Sequence, residues 1–115
     1  YAAVSKTDRL QWSEMTKTYF LKRPNLKMVC VLVDSRHDPM DSDLGMLEWL
    51  ENNGLKYLVI LTKCDKISKT AIEERKQQIE TFLELCHNLV EVLPFSSVSG
   101  LGKNELLAII KKNTD

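Results

Sequence analysis

Three short apolar runs, rich in β-branched side chains, punctuate the chain at 28–33, 57–61 and 89–95. Each stops at a polar residue: Asp34, Thr62 and Ser96 respectively. Runs of this length without alternating polar positions predict strands covered on both faces. Between them, apolar residues recur at helical spacing over 43–53, 69–87 and 103–112. Gly54 supplies the C-cap of the first of these, because glycine enters the left-handed region freely. A further amphipathic helix is predicted over 5–22, with Ser5 and Thr7 as candidate caps and Leu10, Met15, Tyr19 and Phe20 on one face, ending before Pro24. The order is therefore α-β-α-β-α-β-α.

Such alternation predicts a parallel sheet with right-handed crossovers and helices on both faces, an α/β protein in three α/β/α layers with three strands and about four helices. In such sheets ligands bind beyond the carboxyl ends of the strands. The loops opening at Asp34, Thr62 and Ser96 are the ones to search for chemistry. No internal repeat or linker interrupts the chain, and residues 1–115 read as one unit.

Composition narrows the classes. At 115 residues one domain is the ordinary expectation, and sixteen basic residues balance sixteen acidic ones, so global charge attracts neither nucleic acid nor an anionic membrane. Cys30, Cys64 and Cys86 are odd in number and lack a CxxC spacing, which fits reduced thiols in a cytoplasmic setting better than disulfides or a zinc site. No run reaches the roughly 18 apolar residues of a membrane span, so no membrane partner is expected. The chain opens on Tyr1 rather than methionine, and we expect it to be part of a longer protein.

Thr62-Lys63-Cys64-Asp65 leaves the second strand where a base-reading loop would stand. A carboxylate there can accept two hydrogen bonds from the N1–H and exocyclic amine of guanine, a donor pair that adenine lacks. Charge-assisted bonds contribute roughly 1.5–3 kcal/mol each, so losing the pair costs on the order of a hundredfold in affinity. Lys63 can lay its aliphatic stem along the base while its ammonium stays in water. A Thr/Asn-Lys-x-Asp match arises by chance in roughly one chain in twenty of this length; its place directly after a buried strand is what gives it weight. Phe95-Ser96-Ser97-Val98 ends the next strand, and a backbone N–H near Ser97 or Val98 could donate to guanine O6. Gly102-Lys103 imitates the end of a phosphate-binding loop, but Ser97 stands where that motif needs glycine and Asn104 where it needs Ser or Thr. These glycines read as a turn, with Asn104 or Ser99 near the cap of the last helix.

Together these loops resemble the fourth and fifth guanine-recognition motifs of translation-factor-type GTPases, and the Thr-Lys-x-Asp spelling resembles the EngB/YihA/YsxC family. Val33-Asp34-Ser35-Arg36-His37, Asp43, Asp65-Lys66-Ile67, Phe95-Ser96-Ser97, Trp12 and the opening Tyr1-Ala2-Ala3-Val4-Ser5-Lys6 add to that resemblance. It implies a partial P-loop GTPase domain, the C-terminal, guanine-binding part of one G domain. It also implies GTP or GDP with magnesium as ligands of the parent, and a role in assembling the large ribosomal subunit, with ribosomal RNA and proteins as partners, and in cell division. By resemblance Thr62, Lys63 and Asp65 read the base, with Phe95, Ser96, Ser97 and Val98 as the supporting loop. The resemblance gives no role for Asp34, Arg36 or His37.

No Gly-x-x-x-x-Gly-Lys-Ser/Thr, effector threonine or Asp-x-x-Gly occurs in the chain, so no residue is assigned to catalysis, phosphates or metal. Alone, the chain is expected to bind GTP at about millimolar strength or worse and not to hydrolyse it. Strand 28–33 would be left with an open edge, a route to dimerisation. Two other readings compete: a non-enzymatic α/β interaction module, and a doubly wound enzyme using Asp34. Asp34, Arg36, His37 and Asp38 could otherwise form a solvated loop; His87 would complement a helix C-terminus, Trp12 and Trp49 would pack helices, and Lys111 and Lys112 would be solvated or touch RNA.

Overall fold

The strand Tyr57–Thr62, β2, has five consecutive buried side chains before Thr62, which makes it the centre of the sheet. A computed structural model describes residues 27–114 of the chain. The helix expected over 5–22, with Trp12 and the opening segment, lies outside them. β1 (Val29–Asp34) and β3 (Leu89–Pro94) flank β2 in the order β1-β2-β3, both parallel to it. The α-helices among the described residues are α1 (Asp41–Asn52), α2 (Lys69–Phe82) and α3 (Lys103–Thr114), and a 3-10 turn spans Cys64–Lys66.

Alternation along the strands divides the core in two. Val29, Val31, Val33, Tyr57, Val59, Leu61 and Val92 face Leu47 and Leu50 of α1 and Ile72 and Ile79 of α2. On the opposite face Leu58, Ile60 and Leu93 meet Leu106 and Ile109 of α3. Helices thus lie on both sides of a parallel sheet, as the chain order predicts.

β1 departs from its predicted burial on two faces: it alternates, with Cys30 exposed and Leu32 65% exposed. The reason is coverage, since α3 packs over β2 and β3 and no described helix covers that face of β1. β1 is also an end strand among the described residues.

Local chemistry sets the boundaries. α1 closes in a Schellman motif: Leu55 N–H donates to Leu50 C=O at 3.0 Å and Gly54 N–H to Glu51 C=O at 3.2 Å, with Gly54 at φ 67°. α2 begins at Ser68, whose hydroxyl accepts from Ala71 N–H at 3.1 Å. It ends at Phe82 rather than His87, because the Glu51 carboxylate captures the N–H groups of His87 and Asn88, each at 3.0 Å, and draws the chain away towards β3. His87 therefore does not serve a helix terminus; its backbone is held by Glu51. Neither Ser99 nor Asn104 caps α3. Gly102 C=O takes the first helical bond from Leu106 N–H at 2.8 Å, and Ser99 Oγ accepts from Leu101 N–H. Gly102 has φ 77°, and a Cβ there would stand 2.2 Å from Pro94 O, so only glycine lets α3 start this close to the end of β3. Trp49 packs partly buried against the first core, and Lys111 and Lys112 are exposed.

Candidate functional site

The carboxyl ends of all three strands are stitched together. Thr62 C=O accepts from Ser35 N–H at 3.1 Å and from Ser35 Oγ at 2.6 Å, joining β2 to β1. Phe95 N–H donates to Leu61 C=O at 2.8 Å and Cys64 N–H to Phe95 C=O at 3.2 Å, joining β2 to β3. Cys64 is buried, its thiol donating to Leu61 C=O, so this residue is a plug beneath the loop. Cys30, Cys64 and Cys86 are all free thiols.

Ser96 connects the two sequence-predicted loops. It is 1% exposed; its hydroxyl donates to Asp65 Oδ1 at 2.7 Å and accepts from Val98 N–H at 3.2 Å and Ser99 N–H at 3.1 Å. The Ser96 hydroxyl, with the charge of Lys66 adding to it, pulls the Asp65 carboxyl below its ordinary range. Asp65 is thereby kept ionised with Oδ1 fixed, while Oδ2 meets the Lys66 ammonium at 3.8 Å. Serine's usual turn role, bonding its own backbone, is combined here with orienting an acid one loop away.

Lys63 has φ 59°, the only non-glycine residue with positive φ among the described residues. A left-handed backbone costs a side-chain-bearing residue roughly 1–2 kcal/mol. Its ammonium is held 3.8 Å from Asp34 Oδ2. Asp34 in turn accepts from Arg36 N–H at 2.9 Å and from the Arg36 guanidinium, Nη2 to Oδ2 at 2.8 Å. The Arg36 side-chain hydrogen bond, foremost, holds the Asp34 carboxyl well below the usual carboxylate range, and the Lys63 charge pushes the same way. A carboxylate held so low is a poor proton acceptor near neutral pH, which counts against Asp34 as an acid–base catalyst. Asp38 pairs with Arg75 of α2 and His37 is exposed.

These side chains surround a cleft of ≈ 360 Å³ lined by Arg36, Thr62, Lys63, Asp65, Lys66, Phe95, Ser97 and Val98. The structure therefore brings Thr62, Lys63, Asp65, Phe95, Ser97 and Val98 together around one cleft, and sets Ser96 behind Asp65 rather than in its lining. Val98 N–H and Ser99 N–H are both taken by Ser96 Oγ, whereas Ser97 N–H meets no acceptor among the described residues. Sequence reasoning left Asp34 and Arg36 without a place at this site; the signal that could have found them was their position at a third strand end on the same sheet edge. Among the described residues no group of three His, Cys, Asp or Glu side chains could hold a metal ion, and no helix is long and apolar enough to cross a membrane.

A parallel sheet with helices on both faces and two loops joined at its carboxyl edge is a layout that nucleotide-binding domains use, and the family model described as the elongation factor Tu GTP binding domain matches residues 14–115. The fold agrees with translation elongation factor SelB from Methanococcus maripaludis: TM-score 0.70 at 22% identity, over 78% of this chain and 20% of that one. A bacterial selenocysteine-specific elongation factor EF-Sec gives 0.67 at 26% identity, over 76% of this chain and 15% of that one. Closer in sequence, the probable GTP-binding protein EngB of Thermotoga maritima is 39% identical over 112 residues, 96% of this chain and 56% of that protein. Its counterpart in Bacillus cereus (strain AH187) is 38% identical over 114 residues, 99% of this chain and 57% of that protein. The chain belongs to the EngB family of GTP-binding proteins. It spans about half the length of the curated relatives it matches.

Proposed function

We propose that residues 1–115 are the guanine-reading, C-terminal part of one EngB-type G domain. In this reading the Asp65 carboxylate accepts from N1–H and the exocyclic amine of guanine, Ser97 N–H donates to O6, and the Lys63 stem lies along the base. Phe95 and Val98 provide apolar wall, Thr62 ties the loop to β1, and Ser96 acts from behind by fixing Asp65. The observation that carries the reading is the 2.7 Å bond from Ser96 Oγ to Asp65 Oδ1, because it links the two loops and leaves an ionised, aimed acceptor at the cleft. A guanine base matches that acceptor and the nearby amide donor, whereas adenine would leave Asp65 unpaired and place an amine against Ser97 N–H.

The parent protein then hydrolyses GTP with magnesium, in the cytoplasm, in support of large ribosomal subunit assembly and cell division; EngB membership supports this reading. The residues of this chain supply base selection, and its phosphate and magnesium contacts would come from elsewhere in the parent. The test is binding of a fluorescent GDP analogue to the full-length protein that carries this chain, with GTP, ATP and XTP as competitors. Guanine preference should give way towards xanthine in Asp65→Asn, since the amide can accept from N1–H and donate to O2 of xanthine. No guanine preference, or an indifferent variant, would leave an α/β interaction module. β1 is an end strand among the described residues, and self-association through that edge is the accompanying proposal; a monomer independent of concentration in sedimentation would remove it.

A further inference from the structure

We infer that Asp34 is a positioning residue of the guanine site: its carboxylate holds Lys63 in place along the base, with Arg36 as the counterweight that keeps that carboxylate aimed. The inference rests on the proposed guanine site and gives Asp34, at the end of a different strand, a part in it. Three observations meet here. The Lys63 ammonium lies 3.8 Å from Asp34 Oδ2. Lys63 also occupies a left-handed backbone position that glycine would fill without strain, which argues that its side chain is what the site uses. Finally, Arg36 closes on both oxygens of Asp34, through Nε to Oδ1 at 3.1 Å and Nη2 to Oδ2 at 2.8 Å, and also stands on the wall of the cleft.

The physical need is entropic. A lysine stem has four rotatable bonds and, unrestrained, samples many rotamers, few of which lie along a base. Anchoring the ammonium at Asp34 restricts the stem before the base arrives, so less freedom is lost on binding. One anionic residue placed near an anionic nucleotide would be unfavourable by itself. With Arg36 and Lys63 both on Asp34 the local charge is net positive, and the anchor does not repel the ligand.

Asp34 also has a purely structural bond, from Arg36 N–H to Oδ1 at 2.9 Å, and the test must separate the two roles. Asparagine keeps that acceptor and loses the charge, so Asp34→Asn is the informative change. In the full-length protein, Asp34→Asn should weaken binding of the fluorescent GDP analogue about threefold to fivefold, the range of a half-exposed ion pair. In a Lys63→Met background the same change should alter affinity by less than about 1.5-fold, because the partner is already gone. Asp34→Glu should recover part of the loss, and the Asp34→Asn defect should shrink as salt is raised. Asp34→Ser, which also keeps an acceptor at that position, repeats the cycle independently should the asparagine variant fold poorly. Equal factors with and without Lys63, or no loss in either neutral variant, would overturn the assignment. If Asp65→Asn shifts base choice while the Asp34–Lys63 cycle is additive, only this inference fails; if Asp65→Asn leaves base choice untouched, the guanine site itself fails and this inference with it.

Discussion

Replacing Ser96 by alanine removes one hydroxyl and three hydrogen bonds at the junction of the two loops. The bond to Asp65 is charge-assisted and is made by the hydroxyl of Ser96, itself buried, and such bonds contribute roughly 1.5–3 kcal/mol. The two N–H groups of Val98 and Ser99 lose their shared acceptor; being near the surface, they can recruit water, so each costs only about 0.5 kcal/mol. The sum is about 2.5–4 kcal/mol, a large share of the 5–15 kcal/mol that holds a domain together. With a urea slope of about 1–3 kcal/mol per molar for small proteins, the unfolding midpoint should fall by roughly 1–4 M. Asp65 would also be free to rotate, and we expect guanine-nucleotide binding by the full-length protein to weaken about tenfold, with Thr at the same position recovering part of both losses. Equilibrium urea unfolding followed by tryptophan fluorescence and circular dichroism, alongside titration with the fluorescent GDP analogue, measures the two effects separately. A Ser96→Ala midpoint within about 0.2 M of the parent, together with unchanged affinity, would refute the claim that this hydroxyl couples the loops.

Gly102→Ala would place a methyl group 2.2 Å from Pro94 O at φ 77°, so the start of α3 must move; a loss of at least about 2 kcal/mol is expected in urea or thermal unfolding, and a neutral result would contradict the packing described. Tyr57 is fully buried with its hydroxyl donating to Glu51 at 3.1 Å, and burial, helped by the neighbouring Cys86 and Glu51, raises its pKa. A raised value means the folded state favours the neutral phenol: its stabilisation is whole below the unfolded pKa of about 10 and is lost as pH rises beyond it. Tyr57→Phe should therefore be less stable at neutral pH by about 1 kcal/mol yet flatten the alkaline limb of the stability profile between about pH 10 and 11.5. Glu51→Ala removes the acceptor for Tyr57 Oη and for the N–H groups of His87 and Asn88, and should lower stability by about 2–3 kcal/mol without altering base preference, since the cluster lies at the opposite end of β2 from the cleft.

The three strands, the parallel order and the two loops that meet at the sheet's carboxyl edge were legible in the sequence because each rests on a local signal. Apolar runs need burial, glycine at position 54 ends a helix, and a carboxylate after a strand end has a limited set of partners. What required tertiary structure was every relation between distant residues. The end of α2 at Phe82 is decided by Glu51, 36 residues from the His87 amide it captures. That Ser96 stands behind the cleft, holding Asp65 across 31 residues, follows from how β2 and β3 pair. The same pairing engages Val98 N–H and leaves Ser97 N–H without an acceptor among the described residues, a difference two adjacent amides could not reveal in sequence. Asp34 and Arg36 read as a solvated loop until the sheet set β1 beside β2 and brought Lys63 within 3.8 Å of that carboxylate. Local propensity and patterning wrote the elements; the register of the parallel sheet, which no short window encodes, assembled the site.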